Sequence, residues 1–213
     1  MTESSYGFRP RRSAQEAILK AREYQRSGKR WVVDRDLKQF FDEVDHDILM
    51  TRLGKKVKDK RLKRLVNSFF KAGVQCGNTN VSTLKGTPQG GPLSPSLSNI
   101  LLDDLDKELE QRGHIFCLYA DDCNIYIRSR RAGERVLQSV TKYVEDKLKL
   151  KVNHVKSAVG RPWKRIFLGF SFTNHHLTRI RVSKETQRSF RLHLKTLFRQ
   201  GRGRNLHVLS VKT

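Results

Sequence analysis

The chain has 213 residues, with 44 Lys and Arg against 21 Asp and Glu, a formal net charge of +23 and a pI of about 10.4. That length supports one good core with at most a small appendage, and that charge calls for a polyanionic partner, RNA or DNA. A membrane binder would need an amphipathic or acylated anchor, and a spanning protein a long apolar run; the sequence offers neither.

Cys76, Cys117 and Cys123 show no metal-ligand spacing and no disulfide framework, so they read as reduced, mostly buried thiols. With no charged-apolar-small leader at the start, a soluble, cytoplasmic protein is expected.

In chain order, Ser13-Ala14-Gln15-Glu16 is a capping box, and Ala14, Ala17, Ile18, Ala21 and Tyr24 continue at helical spacing towards a stop at Gly28. Trp31-Val32-Val33 begins a strand that runs into Asp34-Arg35-Asp36-Leu37. Residues 47–53 and 62–70 read as helices, with Asp42, Asp45 and Asp47 placed to cap the first. Residues 73–93, rich in Gly, Asn, Thr and Pro, read as loop. A helix from about Ser94 to Arg112 ends at Gly113, and a second, near 132–148, uses Val136, Leu137, Val140, Val144 and Leu148. A strand is expected near Leu150-Lys151-Val152, and residues 166–172 are expected to pair with 177–182, His175-His176 lying in the turn. From Ser183 a basic helix leads to a Gly-Arg-rich tail. The order is that of an α+β fold, an antiparallel sheet with helices packed on one face.

The chemistry concentrates at Tyr119-Ala120-Asp121-Asp122. Apolar runs at 115–118 and 123–127 flank it as the two strands of a hairpin, which puts the acidic pair at the turn. Adjacent carboxylates beside a buried sheet repel each other unless a cation offsets the repulsion. Carboxylates for Mg²⁺ within a field of Lys and Arg for phosphate point to phosphoryl transfer on nucleic acid. A two-metal site needs carboxylates from separate segments. The end of the first strand offers Asp34 and Asp36, which share a face, so periodicity alone does not choose between them.

Six ordered blocks between residues 5 and 172 resemble the group II intron reverse transcriptase/maturase family. Ser5-Tyr6-Gly7-Phe8-Arg9-Pro10 with Arg12-Ser13 matches the segment just ahead of the palm. Asp36-Leu37-Lys38-Gln39-Phe40-Phe41-Asp42 with His46 matches the first catalytic motif, and Thr87-Pro88-Gln89-Gly90-Gly91-Pro92-Leu93-Ser94-Pro95 the second. Tyr119 to Asp122 matches the third and Leu150 to Lys156 the fourth, while Phe167-Leu168-Gly169-Phe170 matches the hairpin that grips the primer.

The resemblance implies a reverse-transcriptase palm over residues 31–182, a remnant of the fingers–palm junction over 1–30 and the start of a basic helical thumb over 183–213. With Tyr6 so close to the first residue, the fingers that relatives carry are expected to be missing, and activity of this chain alone to be weak. The resemblance assigns Asp36 and Asp121 to two Mg²⁺ ions, with the Leu37 carbonyl as a further ligand and Asp122 completing the acidic turn. Phe41 would pack under the sugar and exclude a 2′-hydroxyl, which favours deoxynucleoside triphosphates. Gln89 and Gly90 would approach the template base and incoming nucleotide, a place where glycine lets backbone come close. Lys156 would lie by the triphosphate, and Phe167, Leu168, Gly169 and Phe170 would position the primer end. The partners implied are an RNA template or intron RNA and a DNA primer. The rival reading is a fragment that binds intron RNA without polymerising.

Overall fold

A computed structural model describes residues 2–72, 74–76, 79–81, 85–87, 91–175 and 177–200. Helix α1 (Ala14–Arg26) leads to strand β1 (Trp31–Arg35), helices α2 (His46–Lys56) and α3 (Lys60–Lys71), and short strands β2 (Val74–Cys76) and β3 (Thr79–Val81). Helix α4 (Ser94–Gln111), strands β4 (Ile115–Tyr119) and β5 (Asp122–Ile127) and helix α5 (Arg130–Lys147) form the middle. Strand β6 (Ala158–Gly160), strands β7 (Phe170–Phe172) and β8 (Ile180–Val182) and helix α6 (Lys184–Gln200) follow.

The helices start where side chains can satisfy their free N–H groups. Ser13 caps α1 and completes the capping box with Glu16, while Asp45, Asp59 and Ser129 cap α2, α3 and α5. Helix α1 stops because Gly28 adopts φ +89°, which lets Gly28 N–H reach the Gln25 carbonyl and Lys29 N–H the Tyr24 carbonyl.

The main sheet is antiparallel in the order β4-β5-β1-β6. Alternation along its strands divides the core in two. Val33, Phe116, Leu118, Cys123 and Ile125 are buried with α2, α3, α4 and α5. Val32, Cys117 and Tyr126 are buried with Tyr6, the Ala17-Ile18-Ala21 stripe of α1, Phe167 and Phe172. The expected α+β architecture is present with one addition: α1 lies across the face that α2, α3, α4 and α5 leave open. Cys117 and Cys123 are buried, as expected; the Cys76 side chain lies outside the described residues.

Two expectations need correction. Residues 73–93 are not all loop, since β2 and β3 pair as a small hairpin too short to show alternation. Leu150-Lys151-Val152 does not form a strand of its own either; Val152 makes a single bridge to Leu37, and the paired strand comes later as β6. The reason lies in the register. Three steps from Asp34 to Leu37 on one side face six from Ala158 back to Val152 on the other, so three residues are looped out between the bridge and the strand. Asn153 builds that loop, its Oδ1 accepting from Val155 N–H (3.2 Å) and Lys156 N–H (3.3 Å). Among the described residues no helix is long and apolar enough to cross a membrane.

Candidate active site

Asp36 follows β1 directly, and the looped-out segment holds it on three sides. Its backbone N–H donates to Ser157 Oγ (3.0 Å), its carbonyl accepts from Asn153 N–H (2.9 Å), and its Oδ2 accepts from Asn153 Nδ2 (3.0 Å). Lys156 is exposed in the same loop, which is fastened from outside by Arg165 Nη2 donating to the Lys156 carbonyl (2.7 Å). Arg165 also pairs with Asp34 across 3.1 Å, which gives Asp34 a structural partner of its own. Leu37 is buried, and its bridge to Val152 fixes the backbone next to Asp36.

The β4–β5 hairpin closes at Tyr119 and Asp122, leaving Ala120 and Asp121 as a two-residue turn. Ala120 takes φ +54°, a conformation that L side chains adopt only under restraint. The restraint comes from residues 4–8, which run beside β4: Leu118 N–H donates to the Ser4 carbonyl (2.9 Å) and Tyr6 N–H to the Leu118 carbonyl (2.8 Å). Gly7 sits so close beneath the turn that a Cβ there would stand 2.2 Å from the Ala120 nitrogen. Asn99 of α4 secures it from the other side, Nδ2 donating to the Gly7 carbonyl at 3.0 Å.

Register brings the two acidic segments together. Arg35 pairs with Cys123, so Asp36 and Asp122 stand one step further along neighbouring strands, and Asp34 opposes Asn124 on the same face. The charges are in conflict. Burial pushes the Asp122 carboxyl up to about 6, and the charges of Asp121, Asp34 and Asp36 push the same way against the pull of Arg35. Burial likewise raises Asp34 to about 6, in spite of Arg165 beside it. A divalent cation offsets such a conflict, and carboxylates with a backbone carbonyl form a donor set suited to a hard ion. Among the described residues no group of three His, Cys, Asp or Glu side chains is placed to hold a metal ion. The fit to an ion therefore rests on charge and donor type, not on position.

The second motif docks on the first. Thr87 N–H donates to the Phe41 carbonyl (2.7 Å), Gly86 N–H to the Val44 carbonyl (2.8 Å), and His46 Nε2 lies 2.6 Å from the Gly86 carbonyl while its ring stacks on Phe70. Gly86 has φ +91°, and a Cβ there would stand 3.0 Å from the Asp42 carbonyl oxygen, so the segment can lie this close only as glycine. Phe41 is half-buried, edge-on to Phe40 at 5.1 Å. Gln89 and Gly90, which complete this motif in the sequence, lie outside the described residues. Leu168 (φ +51°) and Gly169 (φ +79°) make a tight two-residue turn closed by reciprocal Phe167–Phe170 hydrogen bonds. The Gly169 carbonyl accepts from Ser183 N–H and Thr186 Oγ1, which seats the turn against the start of α6, while Phe167 is buried on the α1 side.

Four residues of the site were not singled out from sequence. Asn153 and Ser157 clamp Asp36; their signal was a turn-forming Asn followed four residues later by Ser. Gly7 backs the acidic turn. Arg35 lies between the two strand aspartates but points to the helix side, fully buried beside Cys123, where its guanidinium nitrogens have no oxygen acceptor among the described residues. Burial pushes the neighbouring Cys123 thiol up to about 11, in spite of the charge of Arg35 beside it. No periodicity marks a charged residue for the interior.

The family model for reverse transcriptase (RNA-dependent DNA polymerase) matches residues 1–172. Protein YkfC of Escherichia coli (strain K12) is 31% identical over 216 residues, an alignment covering 83% of this chain and 55% of that protein. The group II intron-encoded protein LtrA of Lactococcus lactis subsp. cremoris is 45% identical over 103 residues, covering 48% of this chain and 17% of LtrA. The chain thus spans about half of one relative and about a sixth of the other. Telomerase from Candida albicans superposes with a TM-score of 0.66 at 14% identity, over 85% of this chain and 35% of that one, a likeness of fold.

Proposed function

The chain belongs to the reverse transcriptase family, and from that premise we propose that it forms the palm of an RNA-directed DNA polymerase of the group II intron type. The observation that supports the proposal is the register that sets Asp36, just past β1, beside Asp122 at the β4–β5 turn, with Asp121 next to it, near enough for their charges to raise Asp122. Asp36, Asp121 and the Leu37 carbonyl would hold two Mg²⁺ ions, with Asp122 completing the set. When bound, these ions would stabilise charge on the attacking and leaving oxygens of nucleotidyl transfer.

The protein groups supply position and charge. Asn153 and Ser157 hold Asp36 in place, and Gly7 with Asn99 holds the turn. Phe41 fills the space a 2′-hydroxyl would need and offers it no partner, which selects deoxynucleoside triphosphates over ribonucleotides. Gln89 and Gly90 approach the template base and incoming nucleotide. Lys156 Nζ, on its exposed loop, donates a proton to the departing pyrophosphate oxygen. The Phe167–Phe170 turn positions the primer end, and α6 begins a basic thumb.

The test is extension of a DNA primer on an RNA template with Mg²⁺ and deoxynucleotides. Asp121→Asn is expected to reduce extension at least about 100-fold; unchanged metal-dependent extension in that variant would end the proposal.

A second reading is favoured by α6, where exposed Lys184, Arg188, Arg191, Lys195 and Arg199 follow one another at helical spacing. In that reading the chain holds intron RNA without polymerising. It predicts RNA binding that weakens steeply with salt and survives Asp36→Asn and Asp121→Asn, with no extension by the wild type.

A further inference from the structure

At the end of the sheet away from the carboxylates, both tryptophans of the chain gather around one arginine. The Arg161 guanidinium carbon lies 4.0 Å from the centre of the Trp31 ring and 5.4 Å from that of Trp163, and Arg161 Nη1 donates to the Arg30 carbonyl (3.2 Å). Beside this stack opens a cavity of about 300 Å³, walled by the last turn of α1, Trp163 and the turn between β7 and β8. No carboxylate is among its lining residues.

Three features of the walls point to a ligand with an anionic and an aromatic part. Arg26 is engaged by the Leu177 carbonyl (Nη2 2.6 Å), which pins the far wall, but no hydrogen bond or ion pair among the described residues engages the Lys29 or Arg30 side chains. Two of the last α1 carbonyls, Gln25 and Tyr24, are already engaged by the Gly28 and Lys29 N–H groups, which weakens their repulsion of an anion. Gln25, nine-tenths buried in the same wall, has an amide Nε2 with no hydrogen-bond partner among the described residues, an unfavourable state for a buried donor. An acceptor on a bound ligand would reach it once the Gln25 side chain turns towards the cavity.

We propose that this cradle binds one unpaired nucleotide of a nucleic-acid strand, its base against Trp163 and its phosphate on Lys29 and Arg30. A volume of about 300 Å³ with a single indole wall suits one base and not a base pair. The site lies outside the polymerase machinery proposed above and does not depend on it.

Because Trp31 and Trp163 are the only tryptophans, tryptophan fluorescence, excited beyond the tyrosine band, reports on this end of the molecule alone. The full chain is titrated without Mg²⁺ with a six-nucleotide RNA, a DNA strand of the same length, a duplex RNA and a nucleoside monophosphate, while anisotropy of a labelled strand follows total binding. Saturable quenching by the single strands is expected, with half-saturation moved upward about tenfold in Lys29→Glu/Arg30→Glu. Trp163→Ala should weaken strand binding at low protein occupancy about tenfold, and Trp163→Phe should restore most of it. Asp121→Asn should leave the quenching unchanged, which separates this site from the polymerase reading. If strands bind by anisotropy without quenching, or quench the charge-reversed variant equally in a fold of wild-type melting temperature, the proposal is overturned. A monophosphate or a duplex binding as tightly as the strand would overturn it too.

Discussion

Strand β1 begins at Trp31, beside a stacked guanidinium, and ends one residue short of Asp36, among the carboxylates of Asp34, Asp121 and Asp122. At the carboxylate end the backbone is held from every side, by Asn153, Ser157, Gly7 and Asn99, while the charges it presents repel one another. At the tryptophan end the cations meet no carboxylate in the cavity and a buried amide donor lacks a partner. One end is over-determined in geometry and unsatisfied in charge, as suits a small ion whose ligands must not move. The other is open and unsatisfied in hydrogen bonding, as suits a polymer that offers one unit at a time.

The largest effect should come from disturbing what holds the acidic turn. A Cβ at Gly7 would stand 2.2 Å from backbone, so Gly7→Ala must displace either the turn or the segment beneath it. Such overpacking costs about 3 kcal/mol, a fall in melting temperature of roughly 6–12 °C, and extension should be lost with it while quenching at the tryptophan end persists. A variant with wild-type melting and wild-type extension would show that Gly7 does not hold the turn.

Asn153→Ala tests the same end more gently. Loss of the Asn153–Asp36 bond should lower extension about 10- to 100-fold and raise the Mg²⁺ needed for half-maximal rate, as for other groups that orient metal ligands. Retention of the wild-type Mg²⁺ requirement would make Asn153 a loop-forming residue only.

The acidic turn and the Asp36 segment were legible in sequence because both announce themselves locally, one by adjacent carboxylates between apolar runs, the other by motif wording. Helix starts were legible through Ser13 and Asp45, and the end of α4 through Gly113, since caps are local chemistry. Strand β6 was not, because Ala158-Val159-Gly160 carries no alternation and owes its pairing to the loop that Asn153 builds. Nor could pattern show that Arg35 turns inward, or that Trp31 and Trp163 share Arg161. These are tertiary facts joining residues far apart along the chain.

The smaller prediction concerns pH. Asp122 and Asp34, raised to about 6 from the ordinary 3.8, hold protons more tightly in the folded protein than in the unfolded chain. Their contribution to stability is therefore greatest below about pH 4 and is lost as the pH rises through 6. Without divalent ions, Asp122→Asn should melt higher than wild type at pH 7.5, by about 1–3 kcal/mol of stability, and the gap should close at pH 4. A variant that melts at or below wild type at pH 7.5 would contradict the charge conflict at its source.

The most direct measurement is the melting temperature at pH 7.5 as Mg²⁺ is raised, for wild type beside Asp36→Asn. If the carboxylates of β1 and the β4–β5 turn form one cation site, Mg²⁺ at ten times its half-saturating concentration should stabilise the wild type by about 1.4 kcal/mol, a rise of roughly 3–6 °C, and Asp36→Asn should abolish most of it. An equal rise in both proteins, or none in either, would mean that these carboxylates do not act together on a cation.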